Sequence, residues 1–403
     1  MKISFFGLIL LYLSVISPLI YSSAKKDIQD ISFTSCIWHY DESLWQDISE
    51  VVTEKVKPDV FIFLGDTVYN DISETGRYTL VDYAYQRLPF FNYEKWFFKK
   101  KFSHNLLTQF ARFQSTYFYQ TLSHHMLQRS STFTLPQNDG GIPGILAVWD
   151  DHDYGYNDSG SWHPEKIEVK HIFESMFGKA PNTTLTSNEP GIYGAYRSGP
   201  NNDLQIILLD CRSFKTPHFE IRKNPSVNVQ ILGEKQWNWL QERLSEPAKI
   251  RIIGSSFPVL PEKIFKWKND QWKEQNKERW SIFGSERHRL LELLSQSDSE
   301  IILISGDWHF ADLSRINYKG KIIHEVTAGG WHSNKKGYKG YKGLRKRFKH
   351  EYSIPSIQKD IPPRAWQNFA NIHIDWSKHL LHLAIYNKLG EIEPGYEVHI
   401  DFN

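Results

Sequence analysis

The apolar positions of the chain follow two rhythms. Continuous apolar runs at Asp59 to Leu64, Ile145 to Trp149, Leu204 to Leu209, Ile250 to Ile253 and Ile301 to Ile304 predict strands covered on both faces. Ile31 to Ile37 alternates instead and stops at Cys36-Ile37. Between these runs, Glu42 to Val56, Glu234 to Leu244 and Glu286 to Leu294 repeat at helical spacing, the first ended by Lys57-Pro58. Strand and helix in alternation predict an α/β chain with a mostly parallel sheet and helices packed outside it. Near the C-terminus, Asn371 to Trp376, Leu380 to Tyr386 and Tyr396 to Phe402 predict an antiparallel set, expected as a second sheet on the first. No internal repeat or linker divides residues 25–403, which read as one catalytic domain.

Two stretches break the rhythm and read as insertions, around residues 80–125 and 333–365. Tyr83 to Tyr119 is aromatic and mostly helical, which suits extra core and cover or a lid over a pocket. Lys335 to His350 carries eight Lys/Arg and no acid, leaving 40 basic against 46 acidic residues elsewhere. The net charge of +2 therefore gives no global field for nucleic acid, and no stable nucleic-acid partner is expected. A basic run of this kind is a solvated loop or draws an anionic substrate toward a nearby site.

The N-terminus changes the compartment. Lys2, the apolar run Ile3 to Leu13 and the small residues Ser22-Ser23-Ala24 read as a signal peptide over residues 1–24. An uncleaved anchor is the alternative, because apolar residues continue to Tyr21. With cleavage, no membrane span is expected in the mature chain. Asn182-Thr183-Thr184 is a glycosylation acceptor. With only two cysteines, Cys36 and Cys211, disulfides do not hold the fold together, though this pair could form one bridge.

The chemistry is concentrated where strands end. One run ends Thr34-Ser35-Cys36, another Gly65-Asp66-Thr67-Val68-Tyr69-Asn70-Asp71. A third ends Trp149-Asp150-Asp151-His152-Asp153, and a fourth Ser305-Gly306-Asp307-Trp308-His309. Ligands of open α/β sheets gather beyond the carboxyl ends of strands. Carboxylates massed there repel one another unless cations neutralise them. Each fragment alone is an ordinary turn, cap or surface pair; their shared position points to metal.

In this order, Ser-Cys, Gly-Asp-x-x-Tyr, Trp-Asp-Asp-His-Asp, Asp-x-Arg and Ser-Gly-Asp-x-His resemble the PhoD-like alkaline phosphatases of the calcineurin-like metallophosphoesterase superfamily. The helix Leu232 to Leu240 after Asp210-Cys211-Arg212 agrees, and the likeness covers roughly Ile31 to Trp331. The resemblance implies a four-layer αββα sandwich of two packed mixed β-sheets flanked by helices. It implies two adjacent metal ions and hydrolysis of phosphate monoesters or diesters. It makes Asp66 the bridging ligand, Cys36 and Tyr69 ligands of a first metal, and Asp151, or Asp150, a ligand of the second. Asp307 and His309 match the last ligand motif, with an oxygen donor replacing one imidazole. A thiolate and phenolate favour Fe(III), and an oxygen-rich position favours Ca, Mn or Mg. His152 falls on the superfamily's catalytic histidine, expected to protonate the leaving alkoxide, and Arg212 is the candidate phosphate clamp. Asp210 is expected only to orient Arg212, and His163, His324 and His332 to be structural unless one completes the second metal. The alternatives are a phosphodiesterase of nucleic acid or lipid headgroups, supported by the basic run, and a non-catalytic phosphate-binding protein.

Overall fold

The computed structural model describes residues 25–72, 102–217, 229–262, 265–268, 271–274, 278–331, 352–353 and 367–403. The expected leader over 1–24, the basic run Lys335 to His350, His332 and much of both insertions lie outside them. Among the described residues, no helix is long and apolar enough to cross a membrane.

Fifteen strands are described: β1 (Asp30–Thr34), β2 (Val60–Leu64), β3 (Ile145–Val148), β4 (Gly194–Ser198), β5 (Leu204–Leu208), β6 (Ile250–Ser255), β7 (Phe265–Lys268), β8 (Gln271–Glu274), β9 (Glu300–Ser305), β10 (Asp312–Tyr318), β11 (Lys321–Thr327), β12 (Tyr352–Ser353), β13 (Asn368–Asp375), β14 (Leu380–Asn387) and β15 (Ile392–Asp401). They form two six-stranded sheets, ordered β15-β14-β13-β1-β2-β3 and β10-β11-β9-β6-β5-β4, and a small sheet β12-β7-β8. Each large sheet is mixed, with β1, β2 and β3 parallel in one and β5, β6, β9 and β11 parallel in the other.

The helices are α1 (Gln46–Glu50), α2 (Phe102–Gln114), α3 (Tyr117–Arg129), α4 (Asp151–Tyr154), α5 (Lys166–Phe177), α6 (Gly233–Ser245) and α7 (Gly284–Ser295). The helix expected over Glu42 to Val56 is a 3-10 turn at Glu42–Leu44, then α1, then wider π-type turns over Val51–Val56. It ends at Lys57, whose φ of 51° is left-handed and cannot continue a helix.

Alternation along the strands sorts the layers. Ile206, Leu208, Ile252, Ile302 and Ile304 share a core with β1, β2 and β3. Their neighbours Ile207, Ile253, Ile301 and Leu303 join Trp237 and Leu240 of α6 and Leu290, Leu291 and Leu294 of α7. On the first sheet, Phe63 turns outward to Phe113 of α2, Phe118 of α3 and Phe177 of α5 at ring distances of 5.7, 6.4 and 5.6 Å. The result is the αββα sandwich, with the described helices of the first insertion serving as core and cover.

Two expectations need correction. The parallel strands do not share one sheet, and the C-terminal strands do not form the second. β13 pairs antiparallel with the open edge of β1, so the C-terminal strands extend the first sheet. The second sheet grows instead from the middle of the chain, with β4, β10 and β11 completing it. β11 escapes detection because His324 and Glu325 interrupt its apolar run. Glu325 is nevertheless buried, accepting the amides of Val259 and Leu260 at 2.8 Å each.

Phe63 fastens three helices to the first sheet, so Phe63→Ala should lower unfolding free energy by about 3–5 kcal/mol. Denaturant titration with an unchanged m-value is the check. A loss under about 1 kcal/mol would mean the aromatic layer repacks freely.

Candidate functional site

The parallel strands of both sheets deliver their following loops to one end of the interface between the sheets. Glycine makes the approach possible. A Cβ on Gly65, whose φ is +87°, would lie 2.3 Å from Asp150 Cβ. A Cβ on Gly306 would lie 2.5 Å from Ser35 Cβ. The loops after β1, β2, β3 and β9 are thus in van der Waals contact, and any side chain at these positions would separate them.

Asp66 lies at the centre. Its carboxylate belongs to three groups of possible metal donors whose atoms lie within 4.8 Å of one another: with Cys36 and His309, with Asp151 and His152, and with Asp150, Asp151 and Asp307. Tyr69 Oη donates to Asp66 Oδ2 at 3.2 Å, and the Cys36 thiol approaches the same oxygen at 3.7 Å. All six sequence-derived metal candidates therefore meet. Cys36, Asp66, Asp307 and His309 all have left-handed backbones, with φ of 57°, 52°, 60° and 56°. Non-glycine residues seldom adopt that region, and their concentration in one place marks strain held by the surrounding loops.

Burial sets the electrostatics. It pushes the Asp66 carboxyl well above its usual range, and Asp151, Asp150 and Asp153 add to the rise against the pull of His152. Burial, then Asp66 and Asp307, raises the Cys36 thiol as well. Asp151 goes the other way: burial is outweighed by His152, Arg212 and the Asp158 amide, so it stays ionised. Its Oδ1 is buried with no hydrogen bond, while Oδ2 accepts the Asp158 amide at 2.6 Å. Asp150 is instead tied to Arg212 Nε at 2.6 Å.

His152 is held by two contacts. Its amide faces Asp66 Oδ1 at 3.4 Å, and its Nδ1 meets Asp71 Oδ1 at 2.6 Å. Although burial opposes protonation, Asp71, Asp151 and Asp66 raise the imidazole well above its usual value. Asp71 stands in the strand-end motif, but nothing in its spacing marks it as the partner of His152. Asp153 joins two loops by accepting the amides of Val68 and Asp150 at 2.9 and 3.1 Å.

Arg212 does not stand open to a substrate. It is fully buried, with Nη1 2.6 Å from Glu278 and Nη2 paired with Asp150. Glu278 also meets the buried Lys215 at 2.6 Å. The contacts support positioning of Asp150 rather than a clamp on phosphate. Asp210 orients this loop as expected, accepting the amides of Arg212 and Ser213 at 2.8 and 2.9 Å. Glu278 was not foreseen, since its partners Arg212 and Lys215 are remote in sequence.

No Cys36–Cys211 bridge forms. Cys36 faces Asp66, whereas Cys211 lies in the core beside Ser255 at 3.5 Å. His163, its pKa pushed down to about 3 by burial, packs between Phe102 and Tyr154. His324 lies in β11, paired with Arg315 across the sheet. The glycosylation candidate Asn182 donates its amide nitrogen to the Ala195 carbonyl at 2.8 Å.

A family model described as PhoD-like phosphatase matches residues 31–384. No curated protein matches the chain. Among solved structures, a structure of PhoD superposes with a TM-score of 0.59 at 14% identity, covering 94% of this chain and 69% of that one. At that identity the likeness concerns the fold. A dimetal phosphatase from Danio rerio matches with a TM-score of 0.45 and 11% identity, covering 94% of this chain and 100% of its own. With nearly the whole described sandwich inside the matched span, this chain belongs to the PhoD-like phosphatase family.

Proposed function

We propose that this chain is a metal-dependent phosphoesterase that hydrolyses phosphate monoesters or diesters with a pair of cations held across Asp66. The observation that carries the reading is the place of Asp66 at the intersection of three donor groups. Several acids buried within 4.8 Å of one another repel strongly, and cations relieve that repulsion. The donors fit the group: an ionised buried Asp151 oxygen lacks a hydrogen bond, and thiol, phenol, imidazole and carboxylate all converge.

Cys36, Tyr69, His309 and Asp66 would hold the first ion, and Asp66, Asp151 and Asp307 the second. The sulfur and phenol donors suit Fe(III) at the first position, and the oxygen donors suit Ca, Mn or Mg at the second. When bound, such a pair polarises phosphoryl oxygens and lowers the pKa of a water. The chain's own part is proton delivery and positioning. His152, kept protonated and oriented by Asp71, donates to the leaving alkoxide. Arg212 and Glu278 fix Asp150, which packs against Gly65 and so sets the height of Asp66. The apolar N-terminal run supports action in the secretory pathway or outside the cell.

Asp66→Asn should remove both ions, read by elemental analysis of the purified variant. An active variant with its full metal content would refute the bridging role. His152→Ala should lower turnover of p-nitrophenyl phosphate or its bis-ester by about 10²–10⁴ while metal content holds. Loss of metal in that variant would make His152 a ligand instead of an acid.

Metal-free protein should respond to pH with a definite sign. Asp66 is raised above its ordinary 3.8 and His152 above 6.5 in the folded chain. Groups raised on folding bind protons more tightly folded than unfolded, so their contribution is lost as pH rises. Above about pH 4 the metal-free protein should lose thermal midpoint relative to the metal-loaded protein as pH rises. Parallel melts with and without metal would contradict mutual repulsion at the site.

A further inference from the structure

The outer face of the first sheet carries a row of side chains that phosphoester chemistry does not use. Four adjacent strands place Asp30 of β1, His373 of β13, His382 of β14 and His399 of β15 directly opposite one another in register. Directly opposed residues on one face have Cβ atoms about 4.5–5.5 Å apart, so three imidazoles stand side by side. The row lies on the side of Ser32 and Asn371. Ser32 is level with Phe61 of β2, which turns outward to Phe118. The row is therefore on the helix-side face, not between the sheets.

Its inner and outer neighbours differ. Ile372, Leu381 and Leu383 point inward and are fully buried. His373 and His382 keep 43% and 23% of their side chains exposed, and His399 is exposed. The row is open to an ion from solvent.

The ring contacts bring two imidazoles together and set carboxylates beside the row. The rings of His382 and His399 are parallel, with centroids 4.3 Å apart. His382 Nε2 meets Glu397 Oε2 at 2.8 Å, which leaves Nδ1 as the lone-pair nitrogen. His373 Nδ1 meets Asp30 Oδ1 at 3.0 Å, leaving Nε2. A carboxylate on one ring nitrogen fixes the tautomer and raises the basicity of the other, as it does around bound metals. His399 makes no hydrogen bond among the described residues, so both of its nitrogens are open. Asp30 is itself fixed by the Asn371 amide at 2.9 Å.

We propose that His382 and His399, with His373 and Glu397 at their flanks, form a surface site for a borderline divalent transition ion of the Zn²⁺ type. Imidazole pairs select such ions over the oxygen-seeking Ca²⁺ and Mg²⁺. From their parallel stacking, both rings turn about χ1 and χ2 to aim one nitrogen each at a tetrahedral ion, and solvent or a flanking group completes it. The site is separate from the Asp66 centre: its residues lie in the middle and C-terminal strands of an extended sheet edge, not on the loops after β1, β2, β3 and β9. A second cation site on the same sheet gives the protein a metal-responsive surface independent of its hydrolytic centre.

The test is Zn²⁺ titration of the full, metal-loaded chain by calorimetry at pH 7.5, beside the double variant H382N/H399N. One additional Zn²⁺ per chain is expected for the native protein and absent from the double variant. Phosphoesterase turnover should be unchanged in the variant, since neither residue lies on the loops that build the Asp66 centre. Co²⁺ in place of Zn²⁺ should give visible absorption of a low-coordinate nitrogen site only in the native chain. Equal Zn²⁺ stoichiometry in native and variant proteins, or no additional equivalent in the native protein, would overturn the proposal.

Discussion

Mutual repulsion among buried carboxylates is the constraint around which this chain is built. Asp66, Asp150, Asp151 and Asp307 lie within reach of one ion, in a place where burial alone already disfavours charge. Two devices on the chain answer part of it. Arg212 and Lys215 are buried beside Asp150 and Glu278 and return positive charge to one side of the cluster. His152, held by Asp71, returns it on another. On the side facing Cys36, Tyr69 and His309, thiol, phenol and imidazole donors converge on the same carboxylate.

The fold serves that arrangement by aiming strands. Parallel strands in two facing sheets send their loops to the same end, so residues more than two hundred positions apart arrive within hydrogen-bonding range. Gly65 and Gly306 set the final distance, because each accepts a neighbouring side chain where a Cβ would stand. The left-handed backbones of Cys36, Asp66, Asp307 and His309 then turn the donors inward. Strain of this kind persists only where surrounding contacts over-determine it, here the contacts between loops.

Much of this was legible in the sequence, for a physical reason. Strands buried on both faces are continuous apolar runs, so a polar residue at their end is conspicuous; Cys36, Asp66, Asp151, Asp307 and His309 were found that way. Asp71 and Glu278 were not, because their partners are remote in sequence and a lone acid in a polar stretch carries no signal. Arg212 was found but given the wrong surroundings, since charge type does not reveal whether a guanidinium meets substrate or an acid of its own chain. Which strands join which sheet was hidden for a related reason. Edge pairing of β13 with β1 leaves no mark on periodicity, and a satisfied Glu325 inside β11 looks like a loop residue.

The most direct measurement is anomalous diffraction from crystals of the protein as purified, with data above and below the iron edge. Two anomalous peaks are expected, one on each side of the Asp66 carboxylate, with the iron signal on the side of Cys36 and Tyr69. A map with no peak beside Asp66, or with a single ion that Asp66 does not touch, would contradict the claim that these acids are gathered to hold a pair of cations.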